Sequence, residues 1–199
     1  MRSINNLLKI IIDYIIVFFC LFILLIPILI ISILIYFFDG GNIFFIQERA
    51  GQYGKKIKII KFKTLIKHND KNTISKLGKF LRITRLDEIP QLINILKGEI
   101  SFVGPRPLYL KYIPLYSKDQ KRRLEMKPGI TGWAQINGDN NISWKKKFQL
   151  DIWYINNFNI LVDIKIILHT VLFFINNIFF YNKLKNKKLV IEEEFNGKN

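Results

Sequence analysis

The sequence predicts a mainly helical α+β chain, with a small β element, carried at a membrane. Three observations predict it. From Ile10 to Phe38 the chain is apolar apart from Asp13. Lys56 to Lys63 (KIKIIKFK) nearly alternates basic and apolar residues, the two-residue period of a half-buried strand. Leu86, Ile89, Leu92, Ile93 and Leu96 fall at helical spacing.

Bulk properties narrow the function. The 199 residues suit one domain with an appended anchor. Half of them are hydrophobic and the formal net charge is +16. In a soluble chain that charge points to nucleic acid; beside a long apolar segment it points to the anionic surface of a cytoplasmic leaflet. Heavy use of Ile, Lys and Asn accounts for part of the basic excess. The single cysteine, Cys20, lies inside the apolar run, which excludes an intramolecular disulfide and a cysteine-based metal site. The two histidines, His68 and His169, are distant in sequence and argue against a histidine metal cluster.

Taken in order, the apolar run exceeds the roughly 20 residues that cross a bilayer as a helix. It is too long for a signal-peptide core, and no small-residue cleavage site follows it. Pro27 sits near its middle and would kink a helix there. Two arrangements remain open: an ordinary spanning helix, or a re-entrant hairpin with both ends on one face. Arg49, Lys55, Lys56, Lys58, Lys61 and Lys63 follow the run, and the positive-inside rule puts them in the cytoplasm. Only Arg2 and Lys9 precede it; on the residues alone a simple span is favoured.

Asp39 to Asn42 marks a turn. Ile43 to Ile46 is β-prone, and Gln47 to Gly54 is expected as a polar loop. The strand at 56–63 slips at Ile59–Ile60, which suggests a bulge. Its lysines are read mainly as a solvated face, with Lys61 kept as a candidate substrate-binding residue. Residues 66–73 are expected as a polar loop and 75–83 as a short helix suited to anionic lipid. The next helix starts at Leu86 or Asp87, because Pro90 is tolerated only in a first turn, and Gly98 is its stop.

Asp87 and Glu88 therefore sit at a helix N-terminus, where complementing the dipole for about 0.3–1 kcal/mol is their ordinary role. Three features point beyond that. Arg82 and Arg106 offer planar forks suited to phosphate. Pro105 and Pro107 fix Arg106 between rigid neighbours, which lowers the entropy lost in holding a ligand. A helix start also offers free N–H groups to an anion. A carboxylate there is expected to keep a low pKa and stay ionised, as a nucleophile on phosphorus or a ligand for a hard cation.

Beyond the pair, 114–126 is basic and helical, with Lys118, Lys121, Arg122 and Arg123 read as a solvated face. Lys127 to Gln135 (KPGITGWAQ) is a glycine-rich loop whose Trp133 meets either lipid or core. Ser143 is a good N-cap for a helix from Trp144 to about Asn156, and Asp151 on it pairs with an active-site arginine or forms an exposed salt bridge. Ile160 to Tyr181 is apolar and long enough to span. Asn182 to Asn199 is expected as a flexible charged tail.

Three blocks, QERAGQYGKKIKIIKFKTL, SKLGKFLRITRLDEIPQLINILKGEISFVGPRP and KPGITGWAQINGDNNISWKKKFQLDIWYINN, resemble the bacterial sugar transferases, the monotopic phosphoglycosyl transferases, over nearly the whole chain. The resemblance implies the minimal form: a membrane re-entrant helix over 1–40, a cytoplasmic-face catalytic domain with interfacial amphipathic helices over 41–181, and the tail over 182–199. It implies a bacterial inner-membrane enzyme that transfers a sugar-1-phosphate from a UDP-sugar to undecaprenyl phosphate, releasing UMP. An N-acetylated amino sugar is expected, with a hexose as the alternative. By the same resemblance Asp87 is the nucleophile, Glu88 holds Mg²⁺, Arg82 and Arg106 bind phosphate, and Pro27 kinks the membrane helix. The family's kink is a Ser-Pro pair, whereas Ile26 precedes Pro27 here, and isoleucine cannot bond to a freed carbonyl. Membrane lipids are expected partners and nucleic acid is not: the rival reading, a membrane-anchored basic lipid- or nucleic-acid-binding protein, leaves the two prolines around Arg106 unexplained.

Overall fold

The structure is a computed structural model that describes residues 2–68, 71–138, 141–184 and 194–197. The apolar run folds as one helix, α1 (Arg2–Phe38), 37 residues long with Pro27 inside it. At about 1.5 Å per residue it would reach roughly 55 Å if straight, well past the ~30 Å of a bilayer core. One stripe, Val17, Ile31 and Ile35 with Leu21, Leu24 and Ile28 beside them, is packed. The other faces are bare, most of all Phe22 at 85% exposure.

β1 (Phe44–Ala50) and β2 (Lys56–Phe62) form an antiparallel hairpin running from Phe44↔Phe62 to Ala50↔Lys56. Two expectations are corrected. β1 continues through Gln47–Ala50, expected as loop, because those residues pair with the lysine strand and Ala50 N–H donates to Leu108 O at 2.8 Å. The register runs residue for residue past Ile59–Ile60, so there is no bulge. The slip falls in the side chains: Ile57, Ile59 and Phe62 are buried and Ile60 only half so. The expected loop at 66–73 is a second hairpin, β3 (Leu65–His68) with β4 (Lys71–Ile74), whose tip lies outside the described residues.

Ser75 Oγ accepts the Gly78 N–H at 2.8 Å and caps α2 (Lys76–Thr84). A Cβ on Gly78 would lie 2.3 Å from Thr64 O, so a glycine is required where α2 crosses the end of β2. Arg85 then turns the chain with φ 61. A 3₁₀ helix (Leu86–Gln91) leads into α3 (Leu92–Leu96). The predicted continuous helix is thus 3₁₀ in its first half, and Gly98, at φ +71, follows its end.

β5 (Ser101–Val103) pairs in parallel with β6 (Gly129–Thr131). The crossover between them, expected as one helix over 114–126, is three short pieces: a 3₁₀ helix Leu110–Leu115, α4 (Lys118–Lys121) and a 3₁₀ helix Arg122–Glu125. α5 (Trp133–Ile136), α6 (Trp144–Asn157, capped by Ser143), α7 (Ile160–Phe179) and α8 (Tyr181–Leu184) complete the described fold.

Both ends of α1 are tied to the same body. Near its start Lys9 pairs with Asp163 of α7 at 2.6 Å, and Asp13 accepts from Ser101 Oγ at 2.6 Å and Phe102 N–H at 3.1 Å. At its end Asp39 accepts from Ser75 Oγ at 2.7 Å. α7 is likewise held at both ends, through Asp163 and through Asn177, which donates to Ile83 O. Among the described residues two helices are long and apolar enough to cross a membrane, Leu7–Phe38 at mean hydropathy 3.3 and Ile160–Phe179 at 1.6.

Trp133 stacks on Trp153, centroids 4.4 Å apart. The tail expectation is corrected at its end: Phe195 is buried among Tyr112, Tyr116, Trp144 and Phe148, and Glu194 pairs with Lys111 at 2.7 Å. Residues 185–193 and 198–199 of that tail lie outside the described residues.

Candidate active site

The left-handed turn at Arg85 re-aims the chain so that Asp87 and Glu88 point inward beneath β2, and both are buried. Asn94, fully buried, fixes that approach: its amide donates to Lys58 O at 2.7 Å and its carbonyl accepts the Ile60 N–H at 3.1 Å. α3 is thereby stapled to β2, and Lys61 is held over the acidic pair.

Glu88 gathers the cations. Lys61 Nζ lies 2.6 Å from its Oε1, Arg106 Nη2 3.0 Å and Arg85 Nη1 3.9 Å. Burial opposes its ionisation, but Lys61, Arg106 and Arg85 outweigh it and hold its pKa well below the usual carboxylate range. Asp87 is the opposite case. Burial, and then the charge of Glu88, raise its pKa to about 6 despite Lys61, Arg85 and Arg106. Its Oδ1 is buried with no hydrogen-bond partner among the described residues. The expectation that Asp87 keeps a low pKa is therefore corrected: its environment is a desolvated pocket beside a second carboxylate, not an open helix start.

The arginines divide differently from the sequence reading. Arg106 joins the pair, whereas the Nε of Arg82 donates to Thr64 Oγ1 at 2.8 Å, and Arg85 supplies the third cation to Glu88. Pro105 and Pro107 flank Arg106, and Pro105 O accepts the Gly129 N–H at 3.0 Å. A Cβ on Gly129 would lie 2.1 Å from Gly104 N, so the glycine-rich loop packs backbone against backbone on the Arg106 segment. Arg123, expected on a solvated face, is instead 4% exposed. It donates to Asp151 at 2.9 and 3.0 Å and to Arg106 O at 2.8 Å. Asp151 therefore acts on the site through Arg123, a buried pair that fixes the Arg106 backbone. Pro27 lies inside α1.

Among the described residues no three or more His, Cys, Asp or Glu side chains gather as a metal cage. Two adjacent carboxylates, one with an unpartnered buried oxygen, still fit a hard cation that takes its remaining oxygens from a substrate. A carboxylate of raised pKa with one unpartnered oxygen, beside several fixed cations, has the chemistry to meet a diphosphate and present a nucleophile to it.

Residues 4–177 match the model of the family described as Bacterial sugar transferase. The uncharacterized sugar transferase EpsL of Bacillus subtilis is 49% identical over 140 residues, 66% of this chain and 69% of that protein. The galactosyl transferase CpsE of Streptococcus agalactiae is 43% identical over 154 residues, 66% of this chain and 34% of that protein. The UDP-glucose:undecaprenyl-phosphate glucose-1-phosphate transferase of Escherichia coli is 35% identical over 189 residues, 86% of this chain and 41% of that protein. The chain thus spans less than half the length of the last two.

Proposed function

The chain belongs to the bacterial sugar transferase family, and from that premise we propose that it transfers a sugar-1-phosphate from a UDP-sugar to undecaprenyl phosphate, releasing UMP, as a first membrane step of glycan assembly. The observation that carries the mechanism is Asp87: buried, unpartnered at Oδ1, with its pKa raised to about 6. At neutral pH it is largely ionised, yet more basic than an ordinary aspartate.

In the proposed first step an Asp87 oxygen attacks the phosphorus that bears the sugar. The bond from that phosphorus to the bridging oxygen breaks, and UMP departs with the electron pair. In the second step an oxygen of the lipid phosphate attacks the same phosphorus and returns the Asp87 carboxylate, giving the diphosphate-linked lipid sugar. Two displacements replace one encounter between two anions, and ping-pong kinetics follow. Lys61, Arg85 and Arg106 face the diphosphate and offset its charge. Glu88 orders these cations and would hold Mg²⁺; when bound, that ion would offset charge on the departing UMP.

We further read the chain as monotopic, at the bacterial inner membrane with the site facing the cytoplasm. Support comes from α1: Lys9 and Asp13 at one end and Asp39 at the other meet one body, which a straight span would hold on opposite faces. A re-entrant α1 bent at Pro27 leaves Phe22 and its neighbours in lipid. α7, tied at both ends with its outer face apolar, lies in the interface. An N-acetylated amino sugar and a hexose remain the two readings of the donor; the names of the glucose and galactosyl transferases favour the hexose.

The test is UMP release from UDP-glucose, UDP-galactose, UDP-N-acetylglucosamine and UDP-N-acetylgalactosamine, with undecaprenyl phosphate and Mg²⁺. One donor is expected to exceed the rest at least tenfold; release from none of them would sink the proposal.

A further inference from the structure

Residues 194–197 lie along the crossover that joins β5 to β6. Glu194 pairs with Lys111 at 2.7 Å, and Gly197 turns the chain at φ +88, where a Cβ would lie 3.6 Å from Leu115. The ion pair is solvent-exposed and contributes little. Phe195 is what seats the segment. It is 3% exposed. Its ring meets Tyr112 and Tyr116 of the crossover, centroids 5.7 and 6.0 Å away, and Trp144 and Phe148 of α6, centroids 5.5 and 5.0 Å away. Phe195 is therefore a wedge in the seam between two elements. The same seam holds the buried Arg123–Asp151 pair, Arg123 from the crossover and Asp151 from α6. The Arg123 guanidinium lies 5.8 Å from the Tyr116 centroid and 5.6 Å from that of Phe148, within cation–π range of both, and it donates to the Tyr116 hydroxyl at 3.3 Å. The two rings beside it are thus two of the four that meet Phe195. Arg123 also donates to Arg106 O at 2.8 Å. That carbonyl belongs to the peptide joining Arg106 to Pro107. Proline brings no N–H, so the carbonyl is the one polar handle by which this peptide plane is held.

We propose that Phe195 is a positioning residue for the transfer reaction: it wedges the aromatic seam, the seam fixes the Arg123 guanidinium, and Arg123 fixes the peptide of Arg106, whose side chain meets the diphosphate. The inference rests on the reading of Arg106 as a diphosphate-binding residue. Each link is a contact on the path: Phe195 to Tyr116 and Phe148, those rings to Arg123, and Arg123 to Arg106 O. When the Phe195 ring is removed, Tyr116 and Phe148 settle into the emptied space and Arg123 shifts with them. A displacement of about 1 Å at a positioned group costs up to about 100-fold; partial closure of the space left by one ring corresponds to about tenfold. A residue that only filled the core would act otherwise: its loss would lower the melting temperature and leave the folded site as it was.

The test measures the affinity of the full chain in detergent for inorganic pyrophosphate with Mg²⁺, at a temperature below the melting transition of every variant compared. Phe195→Ala should weaken pyrophosphate about tenfold and Phe195→Leu, which leaves a smaller gap, about threefold. The second background is Arg123→Met with Asp151→Leu, which removes the link without leaving a buried charge unpaired. That double variant should itself bind pyrophosphate about tenfold more weakly than the wild type. Within it, Phe195→Ala or Phe195→Leu should lower the melting temperature again but weaken pyrophosphate no further, because residues on one path are not additive. If Phe195→Ala fails to fold, Phe195→Leu in the two backgrounds carries the same comparison. Phe195 variants that melt lower yet bind pyrophosphate as the wild type does overturn the proposal, as a packing role only. So does a loss that recurs in full without Arg123, and so does a double variant with wild-type affinity. Arg106→Met separates this inference from its premise. If it weakens pyrophosphate while the Phe195 variants do not, this inference alone fails; if it leaves pyrophosphate unchanged, the reading of Arg106 falls with it.

Discussion

Replacing Asp87 by asparagine should abolish UMP release and at the same time stabilise the free protein. The Asp87 pKa rises from 3.8 to about 6 on folding, about two units. At 1.36 kcal/mol per unit, that is a penalty of about 3 kcal/mol for keeping this carboxylate ionised in the fold. The sign follows from proton binding: the native state holds the Asp87 proton more tightly than the unfolded chain. Stability therefore falls as pH rises through the window from 3.8 to about 6, and the penalty is complete above it. Asparagine removes the charge with little change in volume. For a chain of this size 1 kcal/mol shifts the melting temperature by about 2–4 °C, so Asp87→Asn should melt roughly 6–12 °C higher at about pH 7.5, less the cost of burying its own amide. The assay is thermal unfolding in detergent with a chelator present. Near pH 4 the two proteins should melt together, because wild-type Asp87 is then protonated in the fold. An Asp87→Asn variant that melts at or below the wild type at pH 7.5, or that keeps its full advantage near pH 4, would refute the account of a desolvated carboxylate with an unpartnered oxygen.

Two other perturbations have defined outcomes. Arg123→Met leaves the Asp151 carboxylate buried and unpaired, so a loss of about 3–5 kcal/mol is expected in a denaturant titration; adding Asp151→Leu should recover most of the stability but not the activity, since Arg106 O has still lost its donor. Phe195→Ala empties an aromatic cage, Tyr112, Tyr116, Trp144 and Phe148, and should cost about 3 kcal/mol, whereas an undocked tail would leave the melting temperature unchanged.

What could be read in the sequence was what is local. Asp87, Glu88 and Arg106 lie within 20 residues of one another in one segment, and the prolines around Arg106 announce a fixed backbone. Lys61 was visible only as one lysine of a strand, because its choice among neighbours depends on Asn94 stapling β2 to α3. Arg85 was missed since its signal is a backbone turn, φ 61 at a non-glycine residue, and no residue type betrays that. Arg82 is legible by its place five residues before the pair, but not that its Nε donates to Thr64 Oγ1, a contact set by the fold. Arg123 reads as solvated from its basic neighbours; its partner Asp151 is 28 residues away on α6. Phe195 had one faint sign, a lone aromatic residue in a charged tail.

The central claim is that Asp87 itself takes the sugar phosphate. Its most direct test is mass spectrometry of the protein after incubation with its UDP-sugar donor and Mg²⁺, without undecaprenyl phosphate, followed by acid quench and proteolysis. UMP release of up to one equivalent is expected, with a sugar-phosphate mass increment on the peptide carrying Asp87, lost when the lipid phosphate is added and absent in Asp87→Asn. An increment on Glu88, or UMP release that needs the lipid phosphate from the outset, would contradict it.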